Sequence, residues 1–324
     1  MSYLIVIPRV QVENANAISG LTYGFPAISH FLGFTHALSR RIEQSHGLTF
    51  TGCGVVCHQQ QILAYRGSQW SDYSFALTRN PLTKEAKTAS FNEEGRMHMT
   101  VTLFIECTGV IANGDEGARA FAAELQALYP TQRLAGGTIV SAELPRILAI
   151  PENDEKLLSF TRQEMYRALP GFALIDRSDY LAAHWQQHQQ QDPDAEMLDA
   201  WLDFSLIKTR ATANDENKPP QPGDAATWSL EAKPQQGYLV PLMTGYSAIS
   251  AAYPAGEVDK TRDPTLPFCF VEAAYSVGEW RSPHRIKDIR QLLWHYQYQD
   301  GHYLCRQAEK IEETEEFDQA PYLD

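Results

Sequence analysis

RMHMTVTLFIE, residues 96–106, alternates without a break. Met97, Met99, Val101, Leu103 and Ile105 face one way; Arg96, His98, Thr100 and Thr102 face the other. A period of two marks a strand with one face on a core. Upstream, TGCGVVCHQQQILAY (51–65) reads as a second strand, and residues 3–8, within SYLIVIP, as a fully buried one. Between these two lies a helix over 27–43. Ile28, Phe31, Leu32, Leu38 and Ile42 form its apolar face, Pro26 suits its first turn, and Arg40 and Arg41 suit the negative end of its dipole. Downstream, 115–129 forms a helix with Phe121, Leu125 and Leu128 on one side. RLAGGTIV (133–140) then begins as a glycine loop and becomes a strand.

The order is β-α-β-β-α-β within residues 1–150. It predicts an α+β fold with a ferredoxin-like domain of the RNA-recognition-motif (RRM-like) type. Residues 66–95 interrupt it. The tip of this insertion, TRNPLTKEAKT (78–88), is polar and basic, with turn residues Asn80 and Pro81. It is either a protruding β-hairpin thumb or a plain surface loop.

Residues 151–308 read as a mixed α/β C-terminal part. Helices are expected over 156–168 and 178–190, a flexible loop over 211–227, and strand and turn over 237–250. SPHRIKDIRQLLWHYQY (282–298) reads as a helix. Ser282 would cap it, Pro283 would open it, and Ile286, Ile289 and Leu293 would form its face. Residues 309–324 form an acidic tail, read as solvated.

The net charge of −13 over 324 residues argues against generic nucleic-acid binding. The excess acid is local, however. Residues 1–150 carry 11 basic and 11 acidic side chains, 151–230 carry 7 and 14, 231–308 carry 8 and 8, and 309–324 carry 1 and 7. The neutral parts leave room for a local basic surface. No apolar run approaches the roughly 20 residues of a membrane span, and MSYLIVIPRV lacks an export signature. Five cysteines, an odd and low count, suit reduced thiols in a cytoplasmic protein.

Catalytic and metal patterns are weak. Cys53-Gly-Val-Val-Cys57-His58 has one residue too many for haem attachment, and its alternation places Cys53, Val55 and Cys57 on a core face. His184-Trp-Gln-Gln-His188 sets two imidazoles one helical turn apart. Trp185 stands where a zincin needs Glu, so the pair reads as a solvated face. Nucleophile elbow, Walker A and complete dinucleotide fingerprints are missing. Catalytic residue, metal and cofactor are therefore all expected to be none.

Four polar or basic features remain. The first is the opening loop with Asn14, Asn16, Ser19, Gly20 and Thr22. The second is the arm with Arg79, Asn80, Lys84 and Lys87. The third is Arg133 with Gly136 and Gly137, a possible anion nest beside a forked donor. The fourth is Arg281, His284 and Arg285 around an expected helix N-terminus. The polar side of 96–102 carries Arg, His and Thr instead of stacking aromatics. An RNA would therefore be held by loops and the arm, through backbone and 2′-hydroxyl contacts.

LIVIPRVQVENANAISGLTYGFPAISHFLGFTHALSRR (4–41) resembles the N-terminus of the Cas-five-type subunit family, the second Csy protein, of type I-F CRISPR surveillance (Csy, Cascade) complexes. FALTRNPL (75–82), EEGRMHM (93–99), RLAGGTI (133–139), LPGFALI (169–175), GYSAISAAYPAGEV (245–258) and GEWRSPHRI (278–286) extend the resemblance in order. It implies a non-catalytic RNA-binding subunit in antiviral defence. Such a subunit holds the 5′ handle of the CRISPR RNA (crRNA), pairs with a Cas-eight-type large subunit, and abuts a Cas-seven-type backbone subunit. Contact with target DNA would be indirect, and none with a membrane is implied. Relatives in other CRISPR types cleave repeat RNA on this fold, so an endoribonuclease is the alternative. Asn14, Asn16, Arg79, Asn80, Arg133, Gly136, Gly137, Tyr246, Arg281, His284 and Arg285 lie inside matching blocks and become the expected RNA-binding residues. The acidic tail lies beyond the last block.

Overall fold

The computed structural model describes residues 2–214, 221, 223 and 225–308. The acidic tail and much of 211–227 fall outside them. Along the chain, β1 (Ser2–Asn16) is followed by the small hairpin β2 (Ile18–Ser19) and β3 (Thr22–Tyr23), then α1 (Ile28–His46) and β4 (Thr49–Ile62). β5 (Ala64–Tyr65), β6 (Ser74–Arg79) and β7 (Phe91–Glu94) make the insertion. β8 (Arg96–Thr108), α2 (Gly114–Leu128), β9 (Arg133–Leu134), β10 (Gly137–Ser141) and β11 (Arg146–Ala149) complete the first half. Then come α3 (Asp154–Arg167), β12 (Phe172–Asp176), α4 (Ser178–Gln191), α5 (Met197–Ser205), the hairpin β13 (Thr209–Ala213) and β14 (Ala226–Leu230), β15 (Leu239–Ala248), β16 (Val271–Arg281), β17 (Trp294–Gln299) and β18 (His302–Gln307).

The architecture is mixed α+β. β4, β8, β1 and β10 lie side by side in that order, each pair antiparallel, and α1 and α2 connect them. One face of these strands packs a large core. Ile5, Ile7, Val10, Val12, Val55, Met97, Met99, Val101, Leu103 and Ile105 meet Ile28, Phe31, Leu38 and Ile42 of α1 and Phe121 and Leu125 of α2. β1 reaches this core with two shifts of register, between Ile7 and Val10 and between Val12 and Ala15. Arg9 and Asn14, with φ of 50° and 55°, mark the two irregularities. An extra residue flips the side-chain parity. That is why Ile5, Ile7, Val10, Val12 and Ala15 all reach one core despite their mixed spacing. Asn14 and Asn16, expected in the opening loop, therefore lie in the strand, which runs to Asn16 and buries Val12 and Ala15 in the core.

The opposite face is covered at one end only. Leu4, Val6, Val56 and Phe104 pack there against Leu157, Met165 and Ala168 of α3 and its C-terminus, and against Ile286, Ile289, Leu292 and Leu293. Asn153 caps α3, its side chain accepting a hydrogen bond from the Lys156 N–H at 3.1 Å.

The C-terminal strands join β4 twice. β12 pairs with it at Phe172–Cys57 and Ala173–Val56, and β17 pairs with it at Trp294–Cys53. Since β12, β16, β15, β18 and β17 also pair in sequence, the ladders close into a ring through β4. Trp294 is buried, and its Nε1–H donates to the Leu174 carbonyl at 3.1 Å.

The helix expected over 282–298 does not form. Single 3-10 turns at Pro283–Arg285 and Ile289–Leu292 lead into β17. Leu292, Leu293 and Trp294 are buried in succession, so they cannot share one apolar stripe of a helix, although Lys287 and Arg290 are exposed. Asp300-Gly301, with φ of 51° and 81°, turns β17 onto β18. An Asp-Gly pair between alternating residues is a strong hairpin signal, and it was present in the sequence.

Candidate nucleic-acid interface

The uncovered end of the second face is polar. Register pairs Gln11 with Thr100, Gln59 with Thr100, and Gln61 with His98, which places these side chains on one side of the sheet. With Glu13 and Gln60 they line a groove of about 580 Å³. Nδ1 of His98 accepts the Asn14 backbone N–H at 3.2 Å, so the neutral ring carries its proton on Nε2 as a donor. Gln59 and Gln61 are exposed amides that both donate and accept. Such a strip suits sugars and base edges better than bare phosphate charge.

Beside the groove, the irregularity at Asn14 meets the β9–β10 turn. Ala135 and Gly136, with φ of 49° and 75°, have the signs of a type I′ hairpin. Gly137 lies so close to β1 that a Cβ there would sit 2.7 Å from the Glu13 carbonyl and 2.8 Å from the Ala15 nitrogen. Its role is close packing of two strands, whereas Gly136 is exposed in the turn. Arg133 folds back on that turn, its Nη1 donating to the Gly136 carbonyl at 3.2 Å. The Asn16 amide is spent locally: its Oδ1 accepts from Ile18 N–H and its Nδ2 donates to the Ile18 carbonyl, at 3.1 and 2.8 Å. Asn16 is thus a turn-builder, and its backbone N–H ties β1 to Ala135 at 2.8 Å. Arg96 pairs with Asn16 in register and is ion-paired to Glu94.

Asn14, Asn16, Arg133, Gly136 and Gly137 are therefore brought together. The insertion is rooted next to them, since Ala17 N–H donates to the Gly95 carbonyl and Phe75 of β6 meets Tyr23 edge-on at 5.4 Å. β6 and β7 pair as a hairpin that ends at Arg79 and Phe91; Asn80, Lys84 and Lys87 follow on its connection, both lysines exposed. Tyr246 lies elsewhere, on β15 between Ala273 and Tyr303. Arg281 ends β16, paired with Ala173, and His284 and Arg285 are exposed on the turn beside α3. That turn is a three-residue 3-10 element, so the expected helix-terminus phosphate site is not built. His284 Nδ1 is instead 2.8 Å from Ser282 Oγ.

A second cavity, of about 480 Å³, opens where the β2–β3 segment lies against β4, β12 and β15. Tyr23, Phe25, Phe172, Tyr238 and Trp280 line it, together with His58, Gln59 and Ser19. Among the described residues, the buried Ser19 hydroxyl has no hydrogen-bond partner. Residue patterning missed this cavity, because its wall comes from five separate parts of the chain. His58 itself holds the fold: Nδ1 lies 2.7 Å from the Pro170 carbonyl and Nε2 2.7 Å from Thr102 Oγ1. Burial, aided by the Arg9 charge, keeps its imidazole below the usual value, against the bond to Pro170. Cys53 is buried in the core, where burial pushes its thiol up to about 12. Neither is set up as a nucleophile or exposed base.

His184 and His188 do not form the expected solvated face. α5 packs across α4 and sets Asp203 between the two rings, so all three side chains are mostly buried. Among the described residues, no helix is long and apolar enough to cross a membrane.

Residues 5–305 match the family described as CRISPR-associated protein (Cas_Csy2). The chain is also 38% identical over 303 residues to "CRISPR-associated protein Csy2" of Pseudomonas aeruginosa (strain UCBPP-PA14), covering 90% of this chain and 91% of that protein.

Proposed function

The chain belongs to the Csy2 family of CRISPR-associated proteins, and we propose that it is the non-catalytic subunit that holds the 5′ handle of a crRNA in a type I-F surveillance complex. The observation that carries this reading is the polar groove over the open end of the sheet, bordered by His98, Asn14 and the Arg133–Gly137 turn. Neutral donors and acceptors dominate it, as fits a single strand read through sugars and base edges. The aromatic cavity nearby suits an unstacked base. The antiparallel order β4, β8, β1, β10 supports a ferredoxin-like, RRM-like core, and the β6–β7 hairpin supports a thumb.

Pairing with a Cas-eight-type large subunit and contact with a Cas-seven-type backbone subunit are supported by apolar surface. Trp70, Leu77, Leu82 and Phe91 on the insertion, and Trp228 and Leu230 on the β13–β14 hairpin, are exposed.

The test is co-expression with the partner subunits and a CRISPR array, purification, and sequencing of the bound RNA. Uniform RNAs sharing one short 5′ end are expected. Arg133→Glu combined with His98→Ala should lower RNA retention by at least about tenfold, the scale of losing one or two charge-assisted contacts. Unchanged retention would refute the groove. Handle-length products from repeat RNA incubated with the purified chain in chelator would replace this reading with an endoribonuclease.

A further inference from the structure

α4 and α5 form a helical pair on the outside of β16. Leu181, Ala200 and Phe204 share a core with Val277, and Trp201 Nε1–H donates to the Ser276 carbonyl at 2.9 Å. The connection between the helices is fixed at both sides. Trp185 Nε1–H donates to the Ala195 carbonyl at 3.2 Å, and Glu196 and Asp199 exchange reciprocal capping bonds at the start of α5. On this rigid frame His184 and His188, one turn apart on α4, converge on Asp203 of α5.

The convergence is tight. His184 Nε2 lies 2.8 Å and His188 Nε2 3.1 Å from the same oxygen, Asp203 Oδ2. The two imidazoles stand 4.5 Å apart, centroid to centroid, and all three donor atoms fall within 4.8 Å of one another. Phe204 meets the His184 ring edge-on at 5.4 Å and holds it in place. With metal–ligand bonds of about 2.0–2.1 Å, neighbouring tetrahedral ligands sit about 3.3 Å apart. The two observed Nε2–Oδ2 separations are close to that edge.

The rest of the site fits an ion. Lys208 Nζ takes the other carboxylate oxygen, Oδ1, which leaves Oδ2 for monodentate ligation and orients the carboxylate from outside. A cavity of about 150 Å³ adjoins His184 and Asp203, lined also by Leu206, Lys208, Glu231 and Lys233, with room for water as a fourth ligand. Two imidazoles and one carboxylate select a borderline divalent transition ion over magnesium or calcium, which prefer all-oxygen shells.

We propose that His184, His188 and Asp203 form a zinc site that clips α4 to α5, with water completing the tetrahedron. The site uses none of the residues assigned to RNA, so it stands or falls separately from the function above.

The test uses the untagged full chain, stripped with chelator and titrated with zinc against a chromophoric competitor, then with cobalt(II). Binding of one zinc per chain, the intense visible bands of tetrahedral cobalt, and a rise in the melting temperature with zinc are expected. His188→Ala and Asp203→Asn should each weaken zinc binding by at least about tenfold, since each removes a direct ligand and loss of an outer-shell partner alone costs about 10–100-fold. Lys208→Met should keep the cobalt spectrum. No tetrahedral cobalt signal from the wild-type chain, which needs no variant to fold, would overturn the proposal. So would His188→Ala binding zinc as tightly as wild type.

Discussion

The same three strands, β1, β4 and β8, cross two very different surfaces on the second face of the sheet. At one end Leu4, Val6, Val56 and Phe104 lie buried under α3 and the 286–293 segment. At the other, Gln11, Glu13, Gln59, Gln61, His98 and Thr100 line an open groove. Backbone and ladder are shared, so the contrast lies in side chains alone. Where both faces are apolar the strand reads as a run, as in LIVI of β1. Where one face is polar it alternates, as in RMHMT of β8. The change from run to alternation along one strand locates the edge of the covered region. His58 marks that edge, bonded on one side to Thr102 of β8 and on the other to Pro170 beyond α3.

Truncation at the covered end should cost most. Phe104→Ala removes a ring that is 1% exposed and should destabilise the chain by about 3–5 kcal/mol, read by chemical denaturation. A loss under about 1 kcal/mol would mean that this end is as open as the other. The lid can be loosened without touching the sheet. Asn153→Ala deletes the α3 cap and should cost about 1 kcal/mol, with faster hydrogen exchange in the first turn of α3. Smallest of all should be Gln61→Ala in the groove. Its stability should stay within about 0.5 kcal/mol of wild type, because an exposed amide is removed from no core. If it nevertheless weakens RNA retention in the assembled complex, the two ends are separated cleanly into one that holds the fold and one that holds a ligand.

The opposite outcome of reading by pattern is seen at 282–299. Ile286, Ile289 and Leu293 satisfied a helical spacing, but Leu292 and Trp294 are buried beside Leu293, and three consecutive buried residues break the helical period. His184 and His188 failed for a related reason. Their spacing was legible, but the partner, Asp203, arrives from another helix. In the groove, Asn14, Arg133, Gly136 and Gly137 were legible as polar or turn residues, while Gln59 and Gln61 were not singled out, because exposed glutamines carry no pattern of their own. Asn16 was legible as polar but not as a side chain spent on its own turn.

By itself the sequence determined which residues had to leave water. It set the alternating β8, the buried β1, the apolar faces of α1 and α2, the order of the first half, and the family. Tertiary structure alone decided what those residues leave water against. It closed β12 and β17 onto β4, turned an expected helix into two 3-10 turns and a strand, joined the Asn14 bulge to the Arg133–Gly137 turn, and set Asp203 between two histidines. The physical reason is that periodicity records burial along one element, whereas a site is a meeting of several elements. That meeting is fixed by non-local packing and register, and no short window of sequence contains it.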